Sequence, residues 1–265
     1  MKRRNESTVD IPASADPEET PIRDHSRQQV LVSFCNVAEG QERLGVVTLD
    51  PLGFRPLHVP DPRKSGFTGV TQDDRHVYAI GQKSLSVLDR ETLACEGVYK
   101  LPQIVAPHSI SVTNGSLTIV STGTDEVLTY ALHGNGSPKK PKTPTLIWSA
   151  STNGQRMDSH HLNGLCARPD GRGFLLSGFD WRGRWNEVSE RERVSGFVRM
   201  IPEGDLLAEG LFHPHSVTVL SDGLAWCESG AGAVHLPGRG VIRRFVSYPR
   251  GLCQVGNLLL VGTSG

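Results

Sequence analysis

One unit returns along this chain: a short run alternating apolar and polar residues, a tight turn, then a second short run ending in Ser or Gly. It reads FTGVTQDDRHVYAIG from residue 67, PHSISVTNGSLTIVS from 107 and HLNGLCARPDGRGFLLSG from 161. It returns as PHSVTVLSDGLAWCES from 214 and PRGLCQVGNLLLVGTSG from 249. Alternation with period two is the pattern of a half-buried strand, and Asn-Gly at 114 and Asp-Gly at 170 and 222 are hairpin chemistry. A third strand, and often a fourth, follows before the next copy. With Thr68, His108, Asn163, His215 and Arg250 as equivalent positions, the copies are 40, 55, 52 and 35 residues apart. That is the length of a four-stranded blade, with one insertion near residues 180–194. The expected fold is all-β, a β-propeller of five or six blades of four antiparallel strands. The stretch after residue 29 supplies later strands of a blade without an innermost one, and the last copy stops after two strands. Closure by strands from both termini is therefore expected, since an open ring leaves unpaired edges. The alternative is a chain that is short at its C-terminus.

Composition narrows the partners. Lys plus Arg and Asp plus Glu both number 28, so the net charge is zero. That balance lacks the basic surplus of a nucleic-acid protein or of a polybasic membrane anchor. No apolar window reaches the ~18 residues of a membrane helix, and the basic start has no apolar core behind it, which argues against a secretory signal. Residues 1–28 read as a disordered polar tail and 29–265 as the propeller domain. The five cysteines, Cys35, Cys95, Cys166, Cys227 and Cys253, form no C-x-x-C pair. Four lie in apolar runs and read as buried reduced thiols, which suggests a cytoplasmic protein. Segment 181–194 is the one place where a helical turn is expected.

The innermost strand of each blade lines the channel of a propeller, so its first residues form a ring at one mouth. Thr68, His108, Asn163, His215 and Arg250 would compose that ring, with His161 and His213 two residues upstream pointing the same way. Three neutral imidazoles, His108, His161 and His215, suit a divalent transition metal (Zn, Fe or Mn) that keeps a position open for water or substrate. His213 or His160 would move protons, and Thr68 and Asn163 would orient the substrate. Asp158 is a further candidate for orienting ligands, and Arg250 would grip a carboxylate or phosphate and assist catalysis. Against this stands the bland reading that polar channel residues merely satisfy backbone groups and water. His58, His76, His133 and His235 read as surface or packing residues, and His25 lies in the tail. The loop DWRGRW, with Trp181, Arg182, Arg184 and Trp185, reads as a surface insertion packed on a blade edge, with a lid as the alternative.

The runs PHSVTVLSDGLAWCESGAG and PHSISVTNGSLTIVSTGTDEV resemble the repeat of the NHL, gluconolactonase and virginiamycin B lyase-like propellers, over residues 66–265. The likeness is nearest to uncharacterised bacterial propellers. In catalytic members a divalent metal or a histidine pair at the channel mouth carries the chemistry. The resemblance thus implicates His108, His161 and His215, and more weakly His213 and Arg250. Carboxylate ligands of the gluconolactonase kind are missing, which turns the expectation from calcium toward a His-rich transition-metal site. Carotenoid-cleaving oxygenases, which place histidines from several blades on an axial iron, are a distant likeness. The expected function is a metal-dependent lyase or hydrolase acting on a small molecule at the mouth. The alternative is a non-catalytic propeller that binds a ligand or protein on its rim.

Overall fold

The computed structural model describes residues 28–35, 43–60, 66–139, 143–151, 154, 156–187, 189, 194–236 and 239–264. The expected polar tail lies outside these but for its last residue. The described chain is all β-strand apart from short turns, and it forms six antiparallel sheets in sequence order.

The first sheet has three strands, β1 (Gln29–Ser33), β2 (Leu44–Leu49) and β3 (Leu52–Pro56). The second has four, β4 (Gly69–Gln72), β5 (His76–Gly81), β6 (Ser84–Asp89) and β7 (Cys95–Lys100). The third comprises β8 (Pro107–Thr113), β9 (Ser116–Ser121), β10 (Glu126–Ala131) and β11 (Thr145–Ser149). The fourth comprises β12 (Leu162–Ala167), β13 (Phe174–Gly178), β14 (Gly196–Ile201) and β15 (Leu206–Leu211). The fifth comprises β16 (Pro214–Leu220), β17 (Gly223–Glu228), β18 (Ala233–Leu236) and β19 (Gly240–Arg244). The sixth has two strands, β20 (Tyr248–Val255) and β21 (Leu258–Ser264).

The inner strands β4, β8, β12, β16 and β20 lie side by side in succession, which is the propeller order the repeat called for. Five blades have three or four strands, and a two-stranded sheet occupies the sixth place. The strands of the two chain ends do not share a sheet among the described residues. The two ends approach each other where an Arg250 Nη1 lies 3.8 Å from the Sγ of Cys35, two residues past β1.

A sheet buried on both faces must find partners on both sides, so the core here lies between blades. Tyr78, Ile80 and Leu85 of the second blade pack on Leu117, Ile119 and Tyr130 of the third. Val120 and Val127 of the third meet Leu162, Phe174 and Phe197 of the fourth, and Leu175 and Val198 of the fourth meet Val217 and Trp226 of the fifth. The turns that permit this are those the sequence announced: Asn114 and Gly115 adopt φ of 48° and 68°, the pair of positive angles a two-residue hairpin needs.

Two expectations are corrected and one is narrowed. Only Cys227 is buried; Cys95 and Cys253 are exposed, because they sit on an outer strand and on the two-stranded sheet. Of the surface and packing roles open to His76 the structure takes packing, at 7% exposure between Asp73 and Glu96. The described part of 181–194 is turn without helix, with residues 188 and 190–193 outside the described set. Short 310 turns lie elsewhere, at Thr122–Thr124 and Ser229–Ala231, directly after β9 and β17.

Candidate functional site at the channel mouth

The pairing register bears out the alignment of the inner strands. In the third blade Pro107 pairs with Ser121 and the ladder then shifts, so His108 is the extra residue of a β-bulge. Asn163 holds that place in the fourth blade, after Leu162 pairs with Gly178, and Arg250 in the sixth, after Pro249 pairs with Thr263. In the fifth the ladder shifts after His215. A bulge re-aims a side chain and ends regular pairing, here at the same height in three sheets and just past His215, which pairs with Cys227, in the fifth.

Two residues upstream of Thr68, His108, Asn163 and His215 stand Gly66, Ala106, His161 and His213, with φ of 86°, 45°, 49° and 54°. His161 and His213 precede their strands, so strand alternation does not aim them. A left-handed backbone does, a conformation costly for a residue with a Cβ and typical of functional sites.

The result is a tight group of rings. His108 and His161 meet edge to face with centroids 5.1 Å apart. Phe179, 4% exposed, stands among the others: its ring lies 4.6 Å from His161, 5.0 Å from His215 and 4.6 Å from His213, stacked on the last. Trp185 closes over it, 4.8 Å from Phe179, 5.0 Å from His161 and 5.2 Å from His213. Tyr248 completes the far side, its hydroxyl 2.9 Å from His213 Nδ1, with Arg250 over its ring. Trp185 therefore belongs to the mouth and not to a blade edge, whereas Trp181 is half exposed. Phe179 was not foreseen. The repeat offers the one available signal, since its position answers to Thr122 and Ser229 in the neighbouring blades.

Each imidazole is held by its Nδ1. His108 Nδ1 lies 3.1 Å from the Ala106 carbonyl and 2.9 Å from the Thr122 hydroxyl. His215 Nδ1 lies 3.0 Å from the His213 carbonyl and 2.8 Å from the Ser229 hydroxyl. His161 Nδ1 lies 2.9 Å from an Asp158 carboxylate oxygen. Burial, and after it the neighbouring His161 ring, pushes His108 down to about 4. Burial, then Arg250, drives His215 well below the ordinary histidine value, so both rings are neutral at pH 7.

The remaining candidates are placed apart from this group. The Thr68 hydroxyl donates to the Ile80 carbonyl, at 3.3 Å. Asn163 is buried, accepting from the Ser177 hydroxyl at 2.8 Å. His160 turns its Nδ1 to Asp125, 3.1 Å away, and a Cβ on Gly183 would strike its ring. Asp125 is fully buried and accepts further bonds from Ser159 N and Oγ, both at 2.7 Å, and from His160 N at 2.8 Å. Burial alone would raise the Asp125 carboxyl, but the bonds from His160 and Ser159 outweigh it and hold it below the usual range. Asp125 thus pins residues 159 and 160, next to Asp158 and His161. The loop over the mouth is tied to the same segment, Trp185 N donating to the Ser159 carbonyl at 2.8 Å.

The expected metal was to be shared by His108, His161 and His215. Among the described residues no three His, Cys, Asp or Glu side chains form a group that could hold one ion. The Phe179 ring lies between His161 and His215. In this arrangement His108, His161 and His215 do not form one shared donor set among the described residues.

Residues 78–265 match the model of the family described as Domain of unknown function (DUF4915). The chain belongs to that family. No curated protein matches it in sequence. Among solved structures, the nidogen/laminin complex is similar over 89% of this chain and 86% of that one, at 14% identity and a TM-score of 0.60. A catalytically inactive histidine-to-alanine variant of virginiamycin B lyase from Staphylococcus aureus, with quinupristin, is similar over 83% and 70%, at 13% identity and a TM-score of 0.53. A luciferin-regenerating enzyme is similar over 74% and 68%, at 12% identity and a TM-score of 0.52. These likenesses establish the propeller fold, which enzymes share, and bear out the lyase-like resemblance of the repeats at that level. No described helix is long and apolar enough to cross a membrane.

Proposed function

We propose that this propeller is an enzyme acting on a small molecule at the axial mouth, by proton transfer, with lyase chemistry the leading reaction. The observation that carries this reading is the Asp158–His161 pair, 2.9 Å apart, set against His108 and the rings of Phe179 and Trp185. A carboxylate on Nδ1 fixes the imidazole orientation and stabilises the imidazolium that forms when Nε2 takes a proton. His161 Nε2 removes a proton from the substrate, the electron pair of that bond forms the new double bond, and the leaving group departs from the adjacent atom with its own pair. The proton on His161 then passes to the leaving group or to water. Arg250, at the rim of the rings, grips an anionic group of the substrate.

The lyase of the same fold supports the reading in one respect: its histidine-to-alanine variant is catalytically inactive. The reading is tested by screening the purified protein against lactones, esters and cyclic depsipeptides, then comparing His161→Ala and Asp158→Asn. Loss of ~10²-fold or more in kcat for His161→Ala, with a smaller loss for Asp158→Asn, is expected. Ligand binding without turnover in the parent protein would instead favour a binding propeller. Full turnover in His161→Ala would remove the pair from the mechanism.

A further inference from the structure

The hydrogen bonds around two of the histidines decide where their protons sit. His108 Nδ1 faces the Ala106 carbonyl, which can only accept and so favours the proton on Nδ1. Its second neighbour, the Thr122 hydroxyl, donates its own proton to the carbonyl of Leu162 in the next blade and is therefore free to accept from the ring. The fifth blade repeats every element. His215 Nδ1 faces the His213 carbonyl and the Ser229 hydroxyl, and Ser229 donates to the carbonyl of Pro249 in the blade after it. Thr122 and Ser229 follow β9 and β17 at the same register, opening 310 turns that end in left-handed residues, Asp125 and Gly232. The fourth blade lacks both halves of the device at once, with Asn163 for the histidine and Phe179 for the hydroxyl.

We propose that Thr122 and Ser229 are tautomer locks that hold His108 and His215 as neutral Nδ1–H imidazoles, each offering Nε2 as a fixed hydrogen-bond acceptor. The mouth then suits a ligand with O–H or N–H donors on a flat apolar body, such as a phenol-type hydroxyl or a ring amide. The donors meet the two Nε2 atoms and the body lies on Phe179, Trp185 and Tyr248. The ligand class rests on the reading of this mouth as the binding site; the tautomers rest on hydrogen bonds alone.

Both parts are read by long-range proton–nitrogen NMR on 15N-histidine protein at pH 7. The parent protein is expected to show pyrrole-like Nδ1 and pyridine-like Nε2 for both rings. Thr122→Val should move His108 toward a tautomer mixture and Ser229→Ala should do the same for His215, while Thr122→Ser restores the parent signature. Rings found as Nε2–H, or doubly protonated, in the parent protein would overturn the assignment. Unchanged rings in the Val and Ala variants would overturn the locking role. Phenol is expected to shift the Nε2 resonances and anisole, which has the ring without the donor, to leave them. Equal shifts from both, or none from phenol, would overturn the ligand class. An active His161→Ala would break the catalytic reading without altering any of these signals.

Discussion

The third and fifth blades solve the same problem in the same way, and the fourth, between them, does not. In the outer two, a histidine at the start of the inner strand is braced by a hydroxyl that also reaches the next blade. In the fourth, Asn163 turns inward to Ser177 and Phe179 projects into the mouth. The local backbone is shared: an inner ladder that shifts at the histidine or asparagine, or just after it in the fifth, and a left-handed residue two positions before it. The difference teaches that repeat geometry builds the ring of positions, and side-chain choice divides it into polar braces and an aromatic wedge. That wedge keeps His161 and His215 from closing on one point.

The largest test of this division is Phe179→Ala. Removing a 4% exposed ring from among three imidazoles should cost about 3–5 kcal/mol in urea unfolding. The double variant Asn163→His with Phe179→Thr installs the braced pair in the fourth blade and should recover part of that loss. A double variant no more stable than Phe179→Ala would break the idea that the two positions work as a unit. The same double variant offers a third histidine near the other two, so elemental analysis of it beside the parent protein tests whether Phe179 is what keeps an ion out. Stoichiometric zinc, iron or manganese in the parent protein itself would mean that the rings regroup around a metal.

Next in size is Asp125→Ala. Four donors converge on one carboxylate oxygen of the fully buried Asp125, two of them backbone N–H groups. Leaving them unpaired should cost about 2–4 kcal/mol. If Asp125 positions the dyad through residues 159 and 160, kcat should fall and the pH profile should shift while the Thr122 and Ser229 signatures stay unchanged. Loss of stability without a change in profile would make Asp125 structural only.

How far the sequence reaches is clear from these same residues. Hairpin turns and period-two alternation carry the propeller, because both are local and each blade repeats them. The equivalence of Thr68, His108, Asn163, His215 and Arg250 is legible too, since register along a strand is a count of residues. The upstream pair is legible only by accident. His161 and His213 do reach the mouth, but through positive φ, which no period in the sequence reports for a non-glycine residue. Phe179 and Trp185 could not be placed, because their positions depend on how one blade leans on the next. Whether His108, His161 and His215 converge is equally a matter of angles between blades. Identity and spacing name such a group, and only packing decides its geometry.

The smallest effect follows from the neutral histidines. A His108 held near 4 in the folded protein and at 6.5 when unfolded binds fewer protons folded than unfolded, so acid favours unfolding. Its contribution is complete above pH 6.5, is lost as pH falls toward 4 and is flat below that. The span amounts to at most about 3 kcal/mol by linkage, and His215 adds to it with the same sign. Asp125, held below the usual carboxylate range, loses its contribution only at still lower pH, so the two are separable along one titration. His108→Asn gives the third blade the residue that the fourth carries and should flatten the stability curve between pH 6.5 and 4, measured as the urea midpoint at each pH. A variant with the parent slope would mean that His108 is as readily protonated folded as unfolded. The third blade would then brace an ordinary exposed histidine, and its likeness to the fifth would be one of backbone alone.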